Sequence, residues 1–163
     1  MCGKEKSGLD AAQADLYEGA TFVLTPLART TKGTIDLARA LVEAIGAHPL
    51  IMDPERHDHL VAAISHLPYL LAITLTSVAE SIGMRDACVW DLAASGFRDT
   101  SRLAASDVEM MMDILQTNRD AVGEMLERAQ AYLVGIARAL RCQDEESLRA
   151  WLTSACWRRR SLF

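Results

Sequence analysis

The sequence predicts a mainly α fold, an all-helical domain preceded by a single strand–helix–strand piece. Three observations carry that prediction. Half of the 163 residues are hydrophobic but only 6% are aromatic, so the core must be built from Leu, Ala, Ile, Val and Met. That is the composition of packed helices rather than of a β-sandwich. Beyond Asp53, apolar residues recur at helical spacing almost to the C-terminus. Only two short runs, 20–25 and 49–52, read as strands.

In chain order, Met1-Cys2-Gly3-Lys4-Glu5-Lys6-Ser7-Gly8 is polar and glycine-punctuated, and reads as a loop. Residues 20–25 form a strand closed by Pro26. From Thr34, the positions Ile35, Ala38, Leu41, Val42 and Ile45 mark one helix face, and Gly46 stands just past its end. Residues 49–52 give the second strand. Such a βαβ unit should pair its strands in parallel through a right-handed crossover. Two strands cannot bury both faces of a sheet, so the unit reads as the end of a larger α/β domain.

Asp53-Pro54-Glu55 starts the helical part with an N-cap, a proline at the first helical position and an acid in the first turn. This helix should run to Gly83 and be central, because residues 67–78 are apolar nearly all round. Pro68 should kink it, or divide it near Ser65-His66. A further start near Arg85-Asp86 runs through Trp90 to a break at Ser95-Gly96. Ser106-Asp107-Val108-Glu109 reads as a capping box, with Ser106 as N-cap and Glu109 at N3. One apolar stripe then continues from Met111 to about Arg141, and a last helix starts at Asp144. The domain boundary is expected at residue 53, with an α/β remnant over 1–53 and an all-helical domain over 54–163. The long Leu- and Met-rich stripe makes a homodimer the expected state.

A net charge of −5 and a pI near 5.3 exclude the basic face that a nucleic-acid partner needs. Arg158-Arg159-Arg160 reads as a solvated end. The longest run free of both charge and histidine is 13 residues, from Leu67 to Ala79, against roughly 20 for a membrane span, so no membrane partner is expected. Cys2, Cys88, Cys142 and Cys156 lack ligand-like spacing, and no signal peptide precedes them. They read as free thiols in the cytoplasm. His48, His57, His59 and His66 do not converge at metal-ligand spacing, so no metal is expected. No nucleophile elbow, dinucleotide fingerprint or P-loop occurs in the chain.

Two places could carry chemistry. Ser95-Gly96-Phe97-Arg98-Asp99-Thr100-Ser101-Arg102 concentrates charge, hydroxyls and a glycine between apolar segments. On a helix Arg98 and Arg102 share a face with Asp99 beside them, which suits a two-pronged grip on a carboxylate. The glycine is expected to break the helix and bring the backbone close to a neighbour. The second place is Ser65-His66-Leu67-Pro68-Tyr69. There His66 is either a core histidine bonded to a freed backbone carbonyl or, with the Tyr69 hydroxyl, the mouth of a pocket.

Three collinear segments resemble the prephenate dehydrogenase family. The first, residues 1–8, is similar to the end of that family's His-Pro-Met-Ala-Gly-x-Glu-x-Ser-Gly segment. Met52-Asp53-Pro54-Glu55 with His57-Asp58, followed by Ser65-His66-Leu67-Pro68, resembles the approach to its Ser-His-Leu-Pro-His motif. Gly96-Phe97-Arg98-Asp99-Thr100-Ser101-Arg102-Leu103-Ala104 with Ser106-Asp107 resembles its Gly-Gly-Phe-Arg-Asp-Thr-Thr-Arg-Ile-Ala-x-Ser-Asp. The resemblance implies a Rossmann domain ending near residue 53, then a helical dimerisation domain of the 6-phosphogluconate-dehydrogenase-like C-terminal type. It implies oxidative decarboxylation of prephenate to 4-hydroxyphenylpyruvate in tyrosine synthesis, with NAD or NADP in the complete enzyme. Arg102 then matches the substrate-carboxylate arginine, while Glu5, Arg98 and Asp99 match an ionic group near the site entrance. His57 and His66 match motif histidines, with a supporting role for His57.

Departures accompany these matches. Tyr69 stands for the motif's second histidine and Ser95 for a glycine, while Val108 and Met111 replace the usual Pro and Trp. These changes leave prephenate and arogenate both open as substrate. The family's catalytic histidine would stand two places before Met1. The chain alone is therefore expected to hold no cofactor and to be inactive. The rival expectations are a stand-alone dimeric module that binds an aromatic metabolite such as tyrosine, and the helical domain of a different Rossmann-type dehydrogenase.

Overall fold

The computed structural model describes residues 8–162. The expected loop over residues 1–8 falls almost wholly outside them, as do Cys2 and Glu5. Strands β1 (Thr21–Leu24) and β2 (His48–Ile51) pair in parallel, in the register Thr21↔His48 through Leu24↔Ile51. Helix α1 (Lys32–Ala44) joins them. Thr31 caps it through Oγ1, which accepts from the Thr34 amide at 3.3 Å. Gly46, with φ of 79°, takes the left-handed place after the helix that the sequence assigned to it.

Helix α2 (Pro54–Val61) begins at Asp53, whose Oδ1 accepts from the Arg56 amide at 3.0 Å, with Pro54 at the first position. It does not stop before Pro68. The chain widens into a π turn over Ala62–His66 and continues as α3 (Leu67–Gly83). Proline has no N–H, and its ring crowds the carbonyl four residues back, here that of Ile64. The wider turn relieves that clash, and the Leu67 amide reaches back five residues to the Ala62 carbonyl. The helical run Pro54–Gly83 is therefore 30 residues long. By length and composition alone it is apolar enough to cross a membrane, a length that ending the run at His66 understated.

After α3 the elements are short. Asp86 Oδ1 accepts from the Cys88 amide at 3.0 Å and starts α4 (Cys88–Asp91). Helix α5 (Ser95–Ser101) and a 3₁₀ turn (Arg102–Ala105) follow, and α4, α5 and the 3₁₀ turn all pack on α3. Short elements thus gather on this helix, as a central place implies, but only Tyr69 and Ala72 on it are buried, and Leu71, Val78 and Ile82 stay exposed. Two expectations here are corrected. Ser95-Gly96 opens α5 instead of breaking a helix, and a Cβ on Gly96 would meet nothing within 4 Å. Close approach belongs to Gly83 instead, where a Cβ would lie 2.7 Å from Trp90 Nε1. Trp90 in turn meets Phe97 of α5 edge-on, with ring centroids 6.1 Å apart.

Helix α6 (Val108–Thr117) is capped by Asp107, not Ser106: Asp107 Oδ1 accepts from the Met110 amide at 2.8 Å. The Ser106 hydroxyl instead donates to the Leu103 carbonyl at 2.8 Å, closing the 3₁₀ turn. The apolar stripe is also interrupted at Asn118, where φ is −119° and ψ is 29°, before α7 (Arg119–Arg141) begins. A stripe of side chains does not report such a break, because the apolar positions keep their spacing across it.

By its contacts the chain forms two compact units, residues 1–122 and 123–163. In the second, α7 turns into α8 (Glu145–Leu162) through a Schellman ending. Gln143 takes the left-handed position at φ of 55°, and the Asp144 amide donates to the Ala139 carbonyl at 2.9 Å. The two helices meet closely at Gly135, where a Cβ would stand 2.9 Å from Trp151 Cη2.

Candidate functional site

The π turn determines what the first candidate group looks like. His66 closes that turn and is only 7% exposed. Tyr69, one turn further along, is equally buried at 7%. Asn118, at the break between α6 and α7, reaches across to α2. Its Nδ2 donates to the Asp58 carbonyl at 2.8 Å and stands 3.4 Å from His66 Nδ1. Next to them His57 Nδ1 lies 2.9 Å from Asp58 Oδ1, and both side chains keep solvent contact. The first alternative considered for His66 does not hold, because its partner is a side-chain amide and not a freed backbone carbonyl. Burial lowers the His66 pKa below its ordinary value. The Asp58 charge partly offsets this, and His57 adds to it. The ring is neutral at pH 7.

The second group is exposed. Ser95 opens α5 at the surface, and Arg98 and Asp99 form a loose pair, Nε to Oδ1 3.5 Å, with side chains 78% and 74% exposed. Such a pair contributes little to stability and leaves both groups available to a ligand. Arg102 begins the 3₁₀ turn, also at the surface. The change from α to 3₁₀ geometry at Arg102 loosens the shared face that ideal i, i+4 spacing gave Arg98 and Arg102. Both groups hang on one helix, since α5 and the 3₁₀ turn pack on α3 and His66 precedes it directly. Glu5 lies outside the described residues.

Asn118 was not among the sequence candidates. The available signal was a poor helix former placed inside an otherwise apolar helical stripe, where asparagine favours a helix end. Asp58 enters through its main-chain carbonyl, which side-chain chemistry does not advertise. Among the described residues no three His, Cys, Asp or Glu side chains gather as a metal site. A shallow depression along α8, lined by Arg149, Thr153 and Trp157 among others, contains none of the candidates.

A parallel βαβ unit followed by helices built on one long α2–α3 run defines the class, an α/β segment continuing into a helical part. The model for the nucleotide-binding domain of prephenate dehydrogenase matches residues 1–51, and that for its dimerization domain matches residues 53–154. The chain belongs to the prephenate dehydrogenase family. It is 32% identical over 155 residues to the prephenate dehydrogenase of Bacillus subtilis, covering 95% of this chain and 42% of that protein. Identity is also 32% over 149 residues to the cyclohexadienyl dehydrogenase of Zymomonas mobilis, covering 91% of this chain and 51% of that one.

Among solved structures, prephenate dehydrogenase from A. aeolicus, in complex with hydroxyphenyl propionate and NAD+, superposes with a TM-score of 0.92 at 29% identity. That match covers 99% of this chain and 56% of the other. The arogenate dehydrogenase of Synechocystis gives 0.87 at 28% identity, over 99% of this chain and 59% of that one. The chain thus spans about half the length of the relatives it matches.

NAD belongs to the nucleotide-binding half of this family. The β1–α1 loop is not the turn that would cradle its pyrophosphate. The only β1–α1 connection, residues 25–31, has no glycine-rich turn, and its Thr31 hydroxyl is engaged with Thr34.

Proposed function

We propose that this chain is the C-terminal portion of an NAD(P)-dependent dehydrogenase. That enzyme would convert prephenate to 4-hydroxyphenylpyruvate by oxidative decarboxylation, in tyrosine biosynthesis. The observation that carries this is the collinear match of both family domains along a single chain, changing over between residues 51 and 53. The same changeover supports a domain boundary at residue 53. In this reading the helical domain binds the substrate and does not move the hydride.

Arg102, exposed at the start of its 3₁₀ turn, holds a substrate carboxylate through its planar guanidinium. Arg98 and Asp99 brace the entrance with Ser95, and Glu5 belongs to the same ionic group. His66, neutral and donating, orients the ring with Tyr69, and His57 supports it through Asp58. Exposed apolar side chains, Leu71, Val78 and Ile82 on α3 and Leu133 and Leu140 on α7, are assigned to a second copy of the chain rather than to a membrane. The "dimerization domain" description of the matched family supports that choice. The setting is the cytoplasm, where exposed Cys88, Cys142 and Cys156 remain thiols.

The polypeptide should be dimeric by light scattering and should not reduce NAD or NADP when given prephenate. Reduction above background would overturn the inactivity. Calorimetry with tyrosine, prephenate and 4-hydroxyphenylpyruvate tests the rival reading, since a stand-alone sensing module would bind tyrosine tightly. In a protein with the complete nucleotide-binding domain, Arg102→Ala should raise the prephenate KM by about 10- to 100-fold, the value of one charge-assisted hydrogen bond.

A further inference from the structure

The Asn118 amide touches two elements at once, and its orientation follows from chemistry. The Asp58 carbonyl can only accept, so the atom 2.8 Å away must be the amide nitrogen and not its oxygen. The same nitrogen carries a second hydrogen, and His66 Nδ1 stands 3.4 Å from it. A nitrogen facing a donor serves as an acceptor, so a neutral His66 must carry its proton on Nε2. No other hydrogen bond to the His66 ring occurs among the described residues, and since no buried side-chain nitrogen there lacks a partner, Nε2 keeps contact with solvent. The Nε2–H therefore points away from Asn118, unused by the protein and open to a ligand in place of solvent.

We propose that Asn118 is a positioning residue: it clamps the α6–α7 break to the last turn of α2 and fixes His66 as the Nε2–H tautomer, a hydrogen-bond donor aimed at an oxygen of the ligand. The Asp58 carbonyl can serve as the anchor because it sits at the edge of the π turn. There it also accepts from the Ala62 amide, and a carbonyl has two lone pairs to give. The use of the Nε2–H on a substrate oxygen rests on the function proposed above. The tautomer does not, because it is a property of the unliganded chain.

Nitrogen-15 spectra of the ring nitrogens in this polypeptide, at a pH where His66 is neutral, test the proposal. His66→Gln assigns the signals among the four histidines. Wild type should show Nδ1 as the unprotonated, acceptor-type nitrogen and Nε2 as the protonated one. In Asn118→Asp the carboxylate offers no donor, so the two nitrogens should exchange their shift positions. In Asn118→Ala they should move towards the average of a tautomer mixture. Should the aspartate variant fail to fold by circular dichroism, wild type and the alanine variant decide the matter. A wild-type His66 protonated on Nδ1, or already a mixture, overturns the proposal. So does an Nε2–H tautomer that persists unchanged in folded Asn118→Ala. None of these readouts uses substrate or cofactor, so a wrong tautomer and a wrong enzyme assignment fail separately.

Discussion

Replacing Gly83 by alanine puts a methyl group where the indole of Trp90 lies. The new Cβ would stand 2.7 Å from Nε1, 2.9 Å from Cε2 and 3.0 Å from Cζ2, so three atoms of one rigid plane must move together. Against this, alanine is favoured over glycine in a helix by about 0.5–1 kcal/mol, and less at the last position of α3. Overpacking costs about 1–3 kcal/mol. A displaced Trp90 also weakens its edge contact with Phe97, worth about 0.5–1.5 kcal/mol. Trp90 is 40% exposed and can swing outward, which holds the cost to the lower part of that range.

The net expectation is a loss of about 1–2 kcal/mol, or a fall in Tm of about 3–6 °C for a chain of this size. Gly123 in α7 is the control, because a Cβ there meets nothing within 4 Å and the same substitution should be neutral or stabilising. Thermal unfolding followed by circular dichroism reads both variants. Equal behaviour of Gly83→Ala and Gly123→Ala would refute the reasoning, since propensity alone would then explain both. The contact also has a bearing on the site, as Phe97 lies on the helix that carries Arg98 and Asp99.

The cap of α6 distinguishes two neighbours: Asp107→Ala should lose about 1 kcal/mol in chemical denaturation and Ser106→Ala clearly less, and the reverse order would restore the capping box at Ser106. His66 makes stability depend on pH. Its folded pKa lies below the ordinary 6.5, so on acidification the unfolded chain takes up a proton before the folded one does. Stability should be flat above about pH 6.5 and fall as pH drops through the window down to the folded pKa. His66→Gln should flatten that slope in urea titrations, and an unchanged slope would remove His66 as its source.

Most of the fold was legible because it is written in local signals. Asp53 with Pro54 starts a helix, Gly46 ends one, and two short apolar runs flank a helical period. What was not legible depends on neighbours. Ser106 and Asp107 are both good N-caps, and the choice between them follows from Ser106 being used by the Leu103 carbonyl. Gly83 and Gly96 look alike in a sequence, yet only Gly83 has an indole against it. In the site, charge and motif spacing picked out Arg98, Asp99, Arg102 and His66. Asn118 stayed hidden, because its role needs a carbonyl that lies 60 residues away and belongs to no side chain.

The π turn at Ala62–His66 amounts to one residue more than a regular helix would hold. Each residue of an α-helix advances the rotation by about 100°. Removing one residue from this turn would leave a continuous and more regular helix, at no loss of helical content. It would also swing His57 and Asp58 by about a quarter-turn or more against His66, carrying the Asp58 carbonyl away from Asn118. A single-codon deletion here would therefore spare the scaffold and dismantle the cluster, a lesion that spectra of secondary structure would miss.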